Sequence, residues 1–121
     1  MMKRVLIVDD EETLTFSLYQ SFIRSEQDFE VITANSGEEA LDKAEGKKLD
    51  LVITDIFMPG IDGFQLIKQL KNITPNTGFF VITAYGNDEY RDKADRFGAL
   101  EYIEKPFDIK AFRQKVLDYL A

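Results

Sequence analysis

Val5-Leu6-Ile7-Val8-Asp9-Asp10 is an apolar run without alternation that ends in two acids. A strand with one wet face alternates apolar and polar residues. An unbroken apolar run suits a strand buried on both faces, as in a parallel sheet covered by helices. The same form recurs along the chain. Leu51-Val52-Ile53-Thr54 runs into Asp55, Phe79-Phe80-Val81-Ile82 into Thr83, and Tyr102-Ile103-Glu104 into Lys105-Pro106. If these runs are neighbouring parallel strands, all four endings meet at one edge of one sheet.

The segments between them read as helices. Leu14, Leu18 and Phe22 recur on one helix face, followed by a weaker strand around Phe29, Val31 and Ile32. Ser36 and Glu39 form a capping-box pattern ahead of a short helix through Ala40, Leu41 and Ala44, which stops at Gly46. After the turn signal Met58-Pro59-Gly60 comes a third helix with Phe64, Leu66, Ile67 and Leu70. The fourth helix, about Asp88 to Phe97, carries few apolar residues, and Gly98-Ala99 ends it. Leu100, Tyr102 and Ile103 predict an alternating last strand, and Asp108 caps a terminal helix with Ile109, Phe112, Val116 and Leu120 on one side. Strand and helix thus alternate five times, which implies parallel pairing with right-handed crossovers in one α/β domain spanning residues 1–121. In such sheets ligands sit beyond the carboxyl ends of the strands, where the strand order reverses.

Composition narrows the chemistry. The chain has 121 residues, 45% hydrophobic and 31% charged, as expected of a soluble domain. No apolar stretch approaches the roughly 20 residues of a membrane helix, and no signal-peptide pattern precedes Val5. The absence of Cys excludes disulfides and thiol chemistry and allows a reducing cytoplasm. The absence of His removes the usual general base, so any imidazole must come from a partner. A net charge of −7 argues against direct nucleic-acid binding.

Asp9, Asp10 and Asp55 brought together repel one another. At about 4 Å, one such pair costs about 4 kcal/mol at an effective dielectric near 20. A cation is therefore expected: Lys105 supplies one charge, and oxygen ligands without His or Cys select Mg²⁺, Mn²⁺ or Ca²⁺. Asp9 or Asp10 could equally cap the first helix, with Glu11 and Glu12 adding favourable charge at its start. That reading accounts for one acid and leaves Asp55 unexplained. An Asp carboxylate can act as a nucleophile and become an acyl phosphate, with metal and ammonium stabilising the transferred group. Thr83 can hydrogen-bond a phosphate oxygen, or simply reflect the strand preference of Thr.

These motifs, with Asp55-Ile56-Phe57-Met58-Pro59-Gly60-Ile61-Asp62-Gly63, Val81-Ile82-Thr83-Ala84 and Tyr102-Ile103-Glu104-Lys105-Pro106-Phe107, resemble the receiver domain of bacterial two-component response regulators. The resemblance covers essentially the whole chain. It implies a doubly wound five-stranded sheet in flavodoxin-like order 2-1-3-4-5, with helices on both faces. It implies a cytoplasmic phosphorylation switch that catalyses its own phosphoryl transfer but is not a turnover enzyme. Asp55 is then the phosphoacceptor, taking its phosphoryl group from a sensor histidine kinase or phosphotransfer protein. Asp9, Asp10, Asp55 and the Phe57 main-chain carbonyl hold Mg²⁺, with Mn²⁺ as an alternative. Thr83 and Lys105 bind the phosphoryl oxygens, and the Lys105–Pro106 bond is cis. Thr83 and Tyr102 form the switch that remodels the face of the fourth helix, fifth strand and fifth helix, through which a homodimer is one option. The weakly apolar fourth helix suits such a movable element.

Phe57 and Tyr85 each lie two residues past a site residue. Neither can polarise an attacking water, and both are expected to shield the acyl phosphate and slow its loss. The alternative is that both rings lie flat on the surface. The rival classes fit less well. The chain lacks the glycine patterns of a dinucleotide or P-loop nucleotide site. Phe57 stands where an Asp-dependent phosphatase would carry its second acid. A never-phosphorylated binding module would tolerate loss of an acid, Thr or Lys, and none is lost. With its end at Ala121, right after the fifth helix, the chain is expected either to act alone by docking to a partner or to be the receiver cut from a longer regulator, and Thr83-Ala84-Tyr85-Gly86 resembles receivers attached to ATPase-type transcriptional activators.

Overall fold

A computed structural model describes residues 2–24 and 29–121. Five strands and five helices alternate: β1 (Lys3–Val8), α1 (Glu12–Ile23), β2 (Phe29–Ala34), α2 (Gly37–Ala44), β3 (Leu51–Asp55), α3 (Gly63–Ile73), β4 (Gly78–Thr83), α4 (Asp88–Arg96), β5 (Glu101–Glu104) and α5 (Ile109–Leu120). The strands form one parallel sheet in the order β2-β1-β3-β4-β5, the flavodoxin-like arrangement expected. Strand order reverses at β1, between β2 and β3.

The unbroken apolar runs are explained by two cores. Val5, Ile7, Leu51, Ile53, Phe80 and Ile82 face Leu18 and Phe22 of α1 and Phe112, Val116 and Leu120 of α5. Leu6, Val8, Val52, Phe79 and Val81 face the other way, against Ala40 and Ala44 of α2 and Phe64, Ile67 and Leu70 of α3. Every second residue of a central strand thus serves one core, so neither face needs polar residues. In α4 only Ala94 is buried, in keeping with its sparse apolar content.

Two local features differ from the sequence expectations. Ser36 Oγ accepts from the Glu39 N–H at 3.1 Å, but Glu39 Oε2 accepts from Asn35 N–H at 3.0 Å, one residue before the N-cap. Glu39 also pairs with Lys43 at 2.9 Å, so its carboxylate is shared between the cap and the next turn. The full reciprocal capping box belongs to α3, between Asp62 and Gln65. The last strand does not alternate either. Leu100 lies outside it and is exposed, while Tyr102 packs on one core and Ile103 on the other.

Candidate functional site

The sheet register brings the strand endings level. Val8 pairs with Thr54, so Asp9 stands beside Asp55; Asp55 pairs with Ile82 and Thr83 with Glu104, so Lys105 lies just beyond. The Lys105 backbone N–H donates to Thr83 O at 2.8 Å, and the Lys105–Pro106 peptide is cis.

Asp9 is fully buried, and its Oδ1 accepts from the Glu11 N–H at 2.9 Å. Its Oδ2 lies 2.8 Å from Lys105 Nζ, an ion pair by distance. The approach is off the angle a hydrogen bond requires, so Oδ2 is buried without a hydrogen-bond partner among the described residues. Asp55 accepts from Lys105 Nζ at 3.0 Å through Oδ2 and from Phe57 N–H at 3.3 Å through Oδ1. Glu11 adds a third carboxylate, with Oε1 2.7 Å from Lys105 Nζ. One oxygen from each of Asp9, Glu11 and Asp55 lies within 4.8 Å of the others. Asp10 is exposed and stands outside that group.

Burial is the main cause that raises Asp9 from its ordinary 3.8 to about 6; the Lys105 ammonium and Glu11 N–H oppose it, and the Asp55 charge adds to it. For Lys105 burial disfavours the charge, but the Asp9, Glu11 and Asp55 carboxylates around it outweigh this and hold the ammonium above its ordinary value. Three carboxylates therefore share one fully protonated lysine. The donor set is all hard oxygen, and Asp9 Oδ2 is a buried acceptor paired by charge with Lys105 but, among the described residues, without a well-aligned hydrogen bond. Both features fit a divalent ion such as Mg²⁺.

Thr83 is fully buried, and its Oγ1 accepts from the Tyr85 N–H at 3.1 Å. Among the described residues it makes no hydrogen bond to Asp55. Tyr102 is half-buried, with its hydroxyl already inside the protein and without a hydrogen-bond partner among the described residues. Burial raises its pKa; the nearby Asn87 backbone opposes this, at a geometry short of a hydrogen bond. The Arg91 guanidinium covers the Tyr102 ring at 4.8 Å and pairs with Glu104 at 3.5 Å.

Phe57 and Tyr85 are both exposed, yet they touch each other. Their rings meet edge to face at 5.5 Å, and Phe57 meets Tyr90 of α4 the same way at 5.0 Å. Gly63 is needed because a Cβ there would fall 2.2 Å from the Asp55 carbonyl oxygen. Its N–H donates to Ile56 O at 2.7 Å, so the start of α3 rests directly on the backbone carrying Asp55. The sequence reading missed Glu11, Gly63 and Tyr90 as parts of the site. Glu11 directly follows the acid pair, the one signal that could have included it.

A parallel α/β sheet with acids, a hydroxyl and an ammonium at its carboxyl edge matches the response regulator receiver domain, whose family model covers residues 5–117. The chain belongs to that family, a signalling domain of two-component systems that works through phosphorylation and is not an ordinary turnover enzyme. It is 34% identical over 120 residues to the sporulation initiation phosphotransferase F of Bacillus subtilis (strain 168), covering 99% of this chain and 95% of that protein. It is 39% identical over 118 residues to the alkaline phosphatase synthesis transcriptional regulatory protein PhoP of the same organism, covering 96% of this chain and 48% of that protein. Among solved structures, a CheY-like receiver domain from Methanospirillum hungatei JF-1 superposes with a TM-score of 0.91 at 28% identity, over 99% of this chain and 94% of that one. Among the described residues, no helix is long and apolar enough to cross a membrane.

Proposed function

We propose that Asp55 accepts a phosphoryl group from a phosphohistidine on a sensor kinase or phosphotransfer protein. One Asp55 oxygen forms the new P–O bond as the donor's P–N bond breaks, and the bonding pair returns to the imidazole nitrogen. The chain's lack of His fits this division of labour. Lys105, already bonded to Asp55, is placed to neutralise charge on the phosphoryl oxygens. Asp9 and Asp55, with Asp10 and the Phe57 carbonyl, would hold Mg²⁺. When bound, that ion would supply the positive charge that offsets the carboxylates and the incoming phosphoryl group. Thr83, whose Oγ1 accepts from the Tyr85 N–H, turns its hydroxyl to donate to a phosphoryl oxygen, and Tyr102 relays the change to the face of α4, β5 and α5. That face then controls a partner, an attached output domain or a second copy of the chain. Phe57 and Tyr85 shield the product.

The observation that carries this reading is the Asp9 Oδ2–Lys105 Nζ–Asp55 Oδ2 cluster, which presents a buried orphan acceptor and a paired nucleophile on the same ammonium. Beryllofluoride with Mg²⁺ is expected to shift the amide resonances of Asp55, Thr83 and Tyr102 in the wild type and not in Asp55→Asn. Equal shifts in both proteins would reject Asp55 as the acceptor.

A further inference from the structure

Lys105 is gripped by three acids of very different exposure. Its ammonium lies 2.8 Å from Asp9, 2.7 Å from Glu11 and 3.0 Å from Asp55. The Asp9 and Asp55 side chains are 0% and 8% exposed, whereas that of Glu11 is 59% exposed. The shortest contact therefore goes to the one acid that can swing into water without moving the core. Glu11 occupies the N-cap of α1, yet its side chain makes no capping hydrogen bond. Its carboxylate is committed to Lys105 and not to the helix. Glu11 and Lys105 also border a groove of about 350 Å³ with Leu14, Pro106, Phe107 and Ile109. A donor entering there meets this ion pair.

A phosphoryl group brings two or nearly two negative charges and three acceptor oxygens. An ammonium has only three N–H donors. The three carboxylates crowd the ammonium at 2.7–3.0 Å, so a phosphoryl oxygen on Asp55 reaches it most readily where a carboxylate gives way, and the exposed one yields at least cost. We propose that Glu11 is a positioning residue for phosphoryl transfer: its carboxylate holds the Lys105 ammonium in the unphosphorylated protein and must be displaced by the arriving phosphoryl group, so it slows phosphorylation. This rests on Asp55 being the acceptor. Glu11 sets how readily the switch is charged, while Asp9 and Asp55 carry the chemistry.

The test compares wild type with Glu11→Gln, which keeps the length of the side chain and removes its charge. With acetyl phosphate and saturating Mg²⁺, the single-turnover phosphorylation rate of Glu11→Gln is expected to rise roughly threefold to tenfold. In metal-free protein, the ¹H–¹⁵N signal of the Lys105 ammonium is expected to exchange with water several-fold faster in the variant, an effect that a merely structural Glu11 would not produce. An unchanged or slower rate in Glu11→Gln would overturn the proposal, as would an unchanged Lys105 signal. If wild type itself takes up no phosphoryl group, the acceptor assignment fails instead, and the Lys105 signal alone still decides whether Glu11 holds the ammonium.

Discussion

Replacing Asp9 by Asn is expected to stabilise the metal-free protein at neutral pH while weakening its hold on Mg²⁺. Asp9 is fully buried, and its pKa rises from 3.8 to about 6 chiefly through burial. The sign follows from proton binding. Between those two values the folded state binds the Asp9 proton more tightly than the unfolded chain, so stability falls as pH rises through the window and stays lost above about 6. Each pKa unit is worth about 1.4 kcal/mol, so the loss amounts to about 3 kcal/mol by neutral pH. Asn retains an oxygen for the Glu11 N–H but brings an amide N–H₂ toward Lys105, which stands 2.8 Å from Oδ2. The net gain should therefore be about 1–2 kcal/mol. Urea denaturation followed by circular dichroism in EDTA, from pH 4 to pH 8, measures it. The two proteins should coincide near pH 4 and separate by pH 7, and added Mg²⁺ should stabilise wild type far more than the variant. An Asn variant less stable than wild type at pH 7 in EDTA, or an offset independent of pH, would mean that burial of the Asp9 charge does not destabilise the metal-free protein.

Three further outcomes are expected. Gly63→Ala places a methyl 2.2 Å from the Asp55 carbonyl and 2.9 Å from Ile56 Cα, backbone that cannot step aside. A loss of about 2 kcal/mol or more is expected in the same denaturation assay, and an unchanged midpoint would argue against so close an approach. Tyr102→Phe removes a buried hydroxyl that has no hydrogen-bond partner among the described residues, so metal-free stability should hold or rise by about 0.5–1 kcal/mol; a clear loss would mean the hydroxyl is satisfied in solution. The Phe57→Asn/Tyr85→Glu double variant breaks the edge-to-face pair and introduces groups able to orient water, so its phosphoryl group should decay faster, by tenfold or more. Equal decay in the double variant and wild type would remove the shielding role.

The architecture was legible because burial on both sheet faces writes unbroken apolar runs at β1, β3 and β4. Their endings placed Asp9, Asp55, Thr83 and Lys105 on one edge, where the structure finds them. What escaped depends on side-chain reach. An acid at the start of a helix looks the same whether it caps the helix or reaches a lysine 94 positions away, as Glu11 does. Likewise Glu39 satisfies Asn35 in place of Ser36, a difference of one residue that the S-x-x-E pattern cannot express. Gly63 reads as a turn glycine until the backbone of β3 is placed beneath it. Tyr90 sits on a helix with little apolar content, and only α4 docking shows that it joins Phe57.

Asp55 is expected to take up one phosphoryl group with help from Mg²⁺. Intact-protein mass after incubation with acetyl phosphate tests it directly. Wild type should gain one phosphoryl group with Mg²⁺ and none with EDTA, and Asp55→Asn should gain none under either condition. A gain that persists in Asp55→Asn, or a wild type that gains nothing with Mg²⁺ present, would contradict it.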